Sequence, residues 1–412
     1  MKVWCLILTI VWGAVILTGC GRPPLLENVS FAPDVLTPNA DGVTDVAKVE
    51  FTLNRSAMVS ITIYDQNGQA YIFRSHTPAG DETYTVYFPG VVDGYVGSGE
   101  TYEYQILKRT LPDGIYTWEI LAVTNEGESA KATGTLTIEN SDTVLPGIRG
   151  FDVSPDKFSP NQDGIDDRVQ INLFLEKDVE SSQVYLEGTD GVAHPIPEDE
   201  KLVEINKRGF HSYDWDGGID AGNEPPEDGV YTLYAYTRDR VGQQVILSNT
   251  LEIVNAGMPR AYILNGEVKY SATTMVLSET LCYTLTVEND SKTHIRTTGP
   301  WSGATYRSDQ NFNTLGWSEE SGVFRVGMDF DTSLRNYPFR WGIGTPGVDL
   351  VQIDNYWYLP PETRSVVTGC VQVVEMPVRN PLYYWMGLIH EDVEIAQVNN
   401  RVDPNFVTIW EP

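Results

Sequence analysis

Two stretches of the sequence place oxygen-bearing side chains at alternate positions ahead of a glycine. Thr37, Asn39 and Asp41 precede Gly42, and Ser159, Asn161 and Asp163 precede Gly164; Asp45 and Asp167 add further oxygens. A hard cation such as Ca2+ takes about six to eight oxygen ligands, and this spacing aims side chains and the Val43 or Ile165 carbonyl at one point. Calcium is therefore a possible cofactor, held by Asn39, Asp41 and Asp45 and by Asn161, Asp163 and Asp167, although nothing in the sequence requires one. The twelfth position, where such a loop takes a bidentate Glu, holds Lys48 in one stretch and Gln170 in the other. The same residues also suit an Asn/Asp-stabilised turn that caps a strand without metal.

Aromatic residues offer a second chemistry. Tyr356-Trp357-Tyr358 and Tyr383-Tyr384-Trp385 could stack sugar rings on flat faces, which makes Trp357 and Trp385 candidates for a polysaccharide platform. Strand alternation sends the middle residue of each triplet to the opposite face, so part of each triplet is core. A platform needs several rings on one exposed face.

Catalytic patterns are sparse. The five His residues (His76, His194, His211, His294, His390) lack His-Glu-x-x-His spacing, and no Gly-x-Ser-x-Gly elbow or Walker loop is present. His390-Glu391-Asp392 reads as a solvated turn after a strand from Tyr383 to Ile389, because neighbours on a strand alternate faces and do not converge on one atom. Gly342-Ile343-Gly344-Thr345-Pro346-Gly347 matches a dinucleotide fingerprint in form, but Thr-Pro-Gly reads as a turn and no helix is expected to follow. The expectation is a protein that is not an enzyme and has no catalytic residues.

These residues ride on an internal repeat. Val35-Leu36-Thr37-Pro38-Asn39-Ala40-Asp41-Gly42 recurs as Lys157-Phe158-Ser159-Pro160-Asn161-Gln162-Asp163-Gly164, with Pro33 and Pro155 at the same offset upstream. Later in each copy Asp113-Gly114-Ile115-Tyr116 is answered by Asp228-Gly229-Val230-Tyr231, each a turn feeding a strand. Alternating runs, Val59 to Tyr64 before Asn67-Gly68 and Val184 to Leu186 before Asp190-Gly191, read as hairpin strands. No helical period interrupts them.

Composition bounds the partners. With 28 Lys and Arg against 57 Asp and Glu, the formal charge is −29, which repels nucleic-acid phosphates and anionic lipid surfaces. The 41% of hydrophobic residues is ordinary for a folded chain. A single Lys2, an apolar run from Val3 to Leu17 and then Thr18-Gly19-Cys20 form a secretory signal too short to span a bilayer stably. Its last four residues resemble the bacterial lipobox, which implies that Cys20 is lipidated and becomes the mature N-terminus. Residues 1–19 would then be a lipoprotein signal peptide and 20–27 a lipidated linker. In an exported chain the remaining pair, Cys282 and Cys370, reads as one disulfide, with two isolated thiols as the alternative.

The two copies resemble the immunoglobulin-like modules of the flagellar-hook-capping type, widespread in bacterial surface proteins. Ser159-Pro160-Asn161-Gln162-Asp163-Gly164, Trp215-Asp216-Gly217, Asp228-Gly229-Val230-Tyr231 and Asp239-Arg240-Val241-Gly242 carry the likeness in the second copy. The first copy departs from it, with Phe88-Pro89-Gly90 and Asn125-Glu126-Gly127 at the corresponding places. The resemblance implies fold and no activity. Six of the ten Trp residues lie beyond Met258-Pro259, where Cys282 to Val287 before Glu288-Asn289-Asp290, and Leu359-Pro360-Pro361 before Val366 to Val371, loosely resemble adhesion-type immunoglobulin sandwiches. That likeness implies cysteines on non-adjacent strands, bridging the domain.

The expected architecture is all-β: tandem immunoglobulin-like β-sandwiches, three domains after a cleaved signal peptide. The repeats would occupy 28–140 and 148–254, joined to a C-terminal sandwich at 260–412 by short linkers. The expected function is a lipid-anchored surface protein of the cell membrane or outer membrane, facing the extracellular space or the periplasm. Its two spacers would display a binding domain for polysaccharide or an envelope protein. A structural or accessory subunit of an envelope complex is the alternative, and a secreted-type hydrolase with two hidden carboxylates the third reading.

Overall fold

The computed structural model describes residues 22–198 and 203–412. The proposed signal segment and lipidated Cys20 lie outside the described residues. Among the described residues strands account for nearly all the regular structure, broken by three single-turn 3-10 helices. Among the described residues no helix is long and apolar enough to cross a membrane. The chain divides into two compact units: residues up to Glu100 with Ile106–Leu145 and Asp239–Gln244, and Thr101–Gln105 with Pro146–Arg238 and Val245–Pro412.

In the first unit a three-stranded sheet (Leu26–Ala32, Ala47–Leu53, Thr83–Phe88) faces a five-stranded one running Val35–Leu36, Ser129–Ile138, Gly114–Val123, Ala57–Tyr64, Ala70–Ala79. Alternation builds the core: Val59, Ile61 and Ile63 point inward from one strand, and Tyr116, Trp118, Ile120 and Ala122 from its neighbour. Pro33 separates the first strand from Val35–Leu36, which pairs in parallel with Ser129–Ile138 of the opposite sheet. A proline has no N–H for the ladder, so it marks the point where the chain leaves one sheet for the other.

The second sandwich repeats this plan. Ile148–Ser154, Val169–Leu175 and Gly209–Trp215 form the smaller sheet, and Lys157–Phe158, after Pro155, pairs in parallel with Gln244–Ile253. In both copies a tyrosine after the Asp-Gly turn bonds back four residues: Tyr116 to the Pro112 carbonyl at 2.8 Å and Tyr231 to the Glu227 carbonyl at 2.7 Å. Such a corner fixes where the turn enters the strand. Phe88-Pro89-Gly90 and Trp215-Asp216-Gly217 are also structural equivalents. Each glycine has positive φ, 75° and 82°, and a Cβ there would lie 2.8 Å from Pro38 or Pro160 respectively.

The third sandwich, in the same unit as the second, packs a sheet built on Thr280–Asn289 and Arg364–Gln372 against a larger one. The larger sheet runs Thr274–Val276, Val402–Trp410, Leu382–His390, Phe324–Phe330, Ile295–Thr297, Tyr356–Leu359 and Val351–Ile353. Trp341 lies fully buried over Gly369, where a Cβ would come within 2.3 Å of the indole, and its Nε1 donates to the Ala304 carbonyl at 2.9 Å. Asn289 ties the two stretches singled out in the sequence: its amide donates to the Thr293, Leu359 and Pro360 carbonyls at 2.9, 3.1 and 3.0 Å.

Cys282 and Cys370 form a disulfide. They sit directly opposite each other on adjacent antiparallel strands of one sheet, and the expectation of non-adjacent, bridging strands is corrected. Leu281, Tyr283 and Leu285 point into the core, so Cys282 between them faces outward, as Cys370 does between Gly369 and Val371. A bond between sheets needs both sulfurs inside.

Candidate functional site

The two Asn-x-Asp-Gly loops share one backbone. Residues at positive φ match pairwise: Ala40 and Gln162 (62° and 56°), Gly42 and Gly164 (88° and 83°), Thr44 and Asp166 (54° and 50°). Their oxygens are turned onto the loops' own N–H groups. Asp45 accepts from the amides of Asn39, Ala40 and Gly42 at 3.1, 2.8 and 2.6 Å, Asn39 from Asp41, and Asp41 from Val43. Asp167 accepts likewise from Asp163 and Gly164, Asn161 from Asp163, and Asp163 from Ile165. Carboxylates engaged in this way cap a turn. Among the described residues no group of three or more His, Cys, Asp or Glu side chains is placed to hold a metal ion.

The copies differ in what surrounds them. Ala40 to Thr44 are exposed, whereas Asn161 and Asp163 are buried against the third sandwich. There Arg296 donates to the Asp163 carbonyl at 2.8 Å, the Tyr358 hydroxyl donates to Asp163 Oδ2 at 3.0 Å, and His390 Nε2 donates to the Gln162 carbonyl at 2.8 Å. The backbones nearly touch: a Cβ on Gly164 would sit 2.0 Å from the Ser321 carbonyl oxygen. Burial raises the Asp163 carboxyl above its ordinary range, opposed by the Tyr358 hydrogen bond. Burial, with the Asp163 charge beside it, pushes Asp167 up to about 6, and burial pushes His390 down to about 4.

His390-Glu391-Asp392 is no solvated turn, and that expectation is corrected. His390 stacks on Phe324 with ring centroids 4.0 Å apart. Glu391, buried on the other side of the strand, receives Arg325 Nη1 at 3.0 Å and Arg340 Nη1 at 2.8 Å. Phe312 lies under Arg340, its centroid 4.3 Å from the guanidinium carbon. Two guanidiniums on one buried carboxylate tie Phe324–Phe330 and Phe339–Gly342 to the end of Leu382–His390, and Arg325 also donates to the Ser318 carbonyl of the covering loop at 2.8 Å. Alternation does separate His390 from Glu391, so they form no joint acid–base pair. Gly342 to Gly347 runs from a strand into a turn with a bridge between Pro346 and Leu350, with no helix to receive a phosphate.

The two tryptophans proposed as a platform point apart. Trp357 pairs with Thr297, which pairs with Phe324, and it packs on the sandwich core. Trp385 lies on the opposite face of that sheet and is buried with Tyr337 and Ile389, the Arg401 guanidinium carbon 4.8 Å from its ring centroid. They form no common surface, because the strand partners of Trp357 face inward and those of Trp385 outward.

An exposed aromatic row exists beside Trp385. Tyr383 leaves Trp385 at 6.1 Å and meets Phe406 at 4.4 Å between centroids. On the strand of Phe406, Val407 and Ile409 point inward, while Phe406, Thr408 and Trp410 point outward. Phe406 is 52% and Trp410 59% exposed. Their four-residue separation spans about 13 Å. Thr274 and Val276 lie beside Thr408 and Trp410 on the edge strand, so hydroxyl groups border the rings. Alternation in Phe406-Val407-Thr408-Ile409-Trp410 carried this signal, since β-branched aliphatics mark one face and aromatics the other.

No family model and no curated protein matches the sequence. Among solved structures the chain is similar to a Ca2+-stabilised adhesin by which an Antarctic bacterium binds ice, at 12% identity and a TM-score of 0.24 over 94% of this chain and 74% of that one. It is similar to a 1.5-MDa bacterial ice-binding adhesin, at 12% identity and a TM-score of 0.20 over 95% and 97% of the two chains. It is also similar to Bacteroides ovatus SGBP-B of a mixed-linkage glucan utilization locus, in complex with a heptasaccharide, at 13% identity and a TM-score of 0.17 over 93% and 71%.

Proposed function

We propose that this protein is a surface binding protein whose third sandwich holds a neutral polysaccharide against the row Tyr383, Phe406 and Trp410. The exposed row carries the reading. Flat rings on one sheet face suit the apolar faces of sugars, and the bordering hydroxyls of Thr274 and Thr408 suit their equatorial hydroxyls. The formal charge of −29 disfavours anionic polymers. The repeats serve as spacers of the flagellar-hook-capping type, and a lipid on Cys20 supplies the membrane attachment. No catalysis belongs to this reading.

The test is retention of the purified protein on a panel of neutral and acidic polysaccharides, with and without chelator. Retention on a neutral polymer that falls with Phe406→Ala or Trp410→Ala supports the reading, and loss with chelator adds calcium to it. Absence of retention on every polymer moves the function to an accessory subunit of an envelope complex.

A further inference from the structure

Arg401 stands apart from the other arginines of the third sandwich. From Arg260 through Arg379 every arginine has a carboxylate oxygen within 3.2 Å. Arg401 has none within 4.0 Å, and its guanidinium makes no hydrogen bond with the described residues. With 57 acidic residues against 28 basic ones in the chain, carboxylates are not scarce, and an exposed guanidinium left without one is free to meet a ligand. Asp329, opposite Trp385 on the neighbouring strand, acts on Arg401 only from further off, and one of its oxygens accepts from the Phe330 amide at 2.8 Å.

Its neighbours hold the side chain beside the aromatic row. The guanidinium carbon lies over the Trp385 ring, 4.8 Å from the centroid. The Arg401 backbone N–H donates to the Tyr337 hydroxyl at 3.0 Å, and that buried hydroxyl donates to Asn400 Oδ1 at 2.7 Å. A guanidinium lying on an indole face keeps its N–H edges free for acceptors. Arg401 immediately precedes the strand Val402–Trp410, on which Phe406 and Trp410 point outward, and the Trp385 ring beneath it is 6.1 Å from that of Tyr383. The row is therefore bounded by Trp410 at one end and by an unpaired cation at the other.

We infer that Arg401 is the specificity-determining residue of the polysaccharide face, and that it selects a neutral polymer whose rings keep free vicinal hydroxyls. This rests on the sugar-binding reading of the row. A 1,4-linked pyranose chain leaves O2 and O3 free on neighbouring carbons, whereas in a 1,3-linked chain O3 belongs to the linkage and separates O2 from O4. Two parallel N–H groups on one guanidinium edge suit a pair of adjacent acceptor oxygens, and the charge strengthens both bonds. The rings of Tyr383, Phe406 and Trp410 accept any flat pyranose, so they fix where the chain lies, and Arg401 reads how it is linked. One cation does not offset a formal charge of −29, so a polyanion stays disfavoured.

The test measures binding of the whole protein to an immobilised β-1,4-linked glucomannan, a linear β-1,3-linked glucan and a polyuronate. The parent, Arg401→Met, Arg401→Lys and Phe406→Ala are compared, each with its melting temperature. The parent is expected to prefer the glucomannan. Arg401→Met still covers Trp385 with an apolar chain, so its melting temperature is expected to stay nearly unchanged while its affinity for glucomannan falls at least about tenfold, or about 1.4 kcal/mol, and the preference over the 1,3-linked glucan disappears. Arg401→Lys keeps the charge without the fork and is expected to lose the preference as well, which a purely structural or purely electrostatic role would leave in place. Parent-like binding by Arg401→Met beside weakened binding by Phe406→Ala overturns the inference and leaves the row standing. A parent preference for the 1,3-linked glucan or the polyuronate overturns it too. Binding of the parent to none of the three also overturns it, and the row is then judged on the wider polymer panel.

Discussion

Tyr358 of the third sandwich donates its hydroxyl hydrogen to the Asp163 carboxylate of the second at 3.0 Å, across 195 residues of sequence. A turn motif of the repeat thus becomes a joint between successive sandwiches. Tyr358→Phe leaves the ring in place and strips a buried carboxylate of one donor, so a loss of about 1–3 kcal/mol is expected. Tyr356→Phe, two residues back on the same face of the strand and 39% exposed, is expected to stay within about 0.5 kcal/mol. Urea unfolding of both variants checks the contrast.

The joint also shapes the response to pH. His390 has its folded value lowered to about 4, so its contribution is complete above its ordinary value near 6.5 and is lost as pH falls toward 4. Asp167, raised to about 6, works the other way: its contribution is complete below its ordinary value near 4 and is lost as pH rises through 6. The two oppose each other over this window. His390→Gln is expected to remove the acid-side loss and leave melting temperature falling as pH rises from 4 to 6, which a pH series of thermal melts reads directly.

Gly164 and Gly42 share a backbone conformation and differ in surroundings, which makes them an internal control. Valine at either position bears the same left-handed strain, about 1–2 kcal/mol. Only Gly164→Val adds a clash with the Ser321 carbonyl oxygen, 2.0 Å from its Cβ, and it is expected to lose a further 1–3 kcal/mol or so. Equal losses in the two variants would show that the joint contributes nothing.

Much of the fold was legible because turn chemistry is local. The Pro-Asn-x-Asp-Gly turn, the Asp-Gly-x-Tyr corner and the alternating strands are written within a few residues each, and the structure places them as strands of β-sandwiches. Three features were not legible. The outward pointing of Cys282 depends on which face of its strand is core. The burial of His390 and Glu391 depends on covering segments far away in sequence, which bring Arg340 and Gln162. Trp385 is hidden by Tyr337, which lies over Gly327 and Gly387 because neither has a side chain to hold it off. Each is decided by long-range packing, and a residue's neighbours along the chain carry no record of it.

The Cys282–Cys370 bond closes an 88-residue separation and is expected to contribute about 2–4 kcal/mol through the unfolded chain. Thermal melts with and without reductant measure it. Because the sulfurs lie on the outer face of the sheet, half-buried, Cys282→Ser with Cys370→Ser is expected to lower the melting temperature and keep the fold.

Under the proposed function Tyr383, Phe406 and Trp410 form a sugar-binding face while the buried tryptophans support the core. The most direct measurement is affinity electrophoresis of the parent, Trp410→Ala, Phe406→Ala and Trp385→Ala in gels containing the neutral polysaccharide that retains the parent, alongside their melting temperatures. Trp410→Ala and Phe406→Ala are expected to weaken retardation with melting temperature nearly unchanged, and Trp385→Ala to destabilise by about 3–5 kcal/mol as a large core residue does. Full retardation of the Trp410→Ala and Phe406→Ala variants would show that the row binds no sugar.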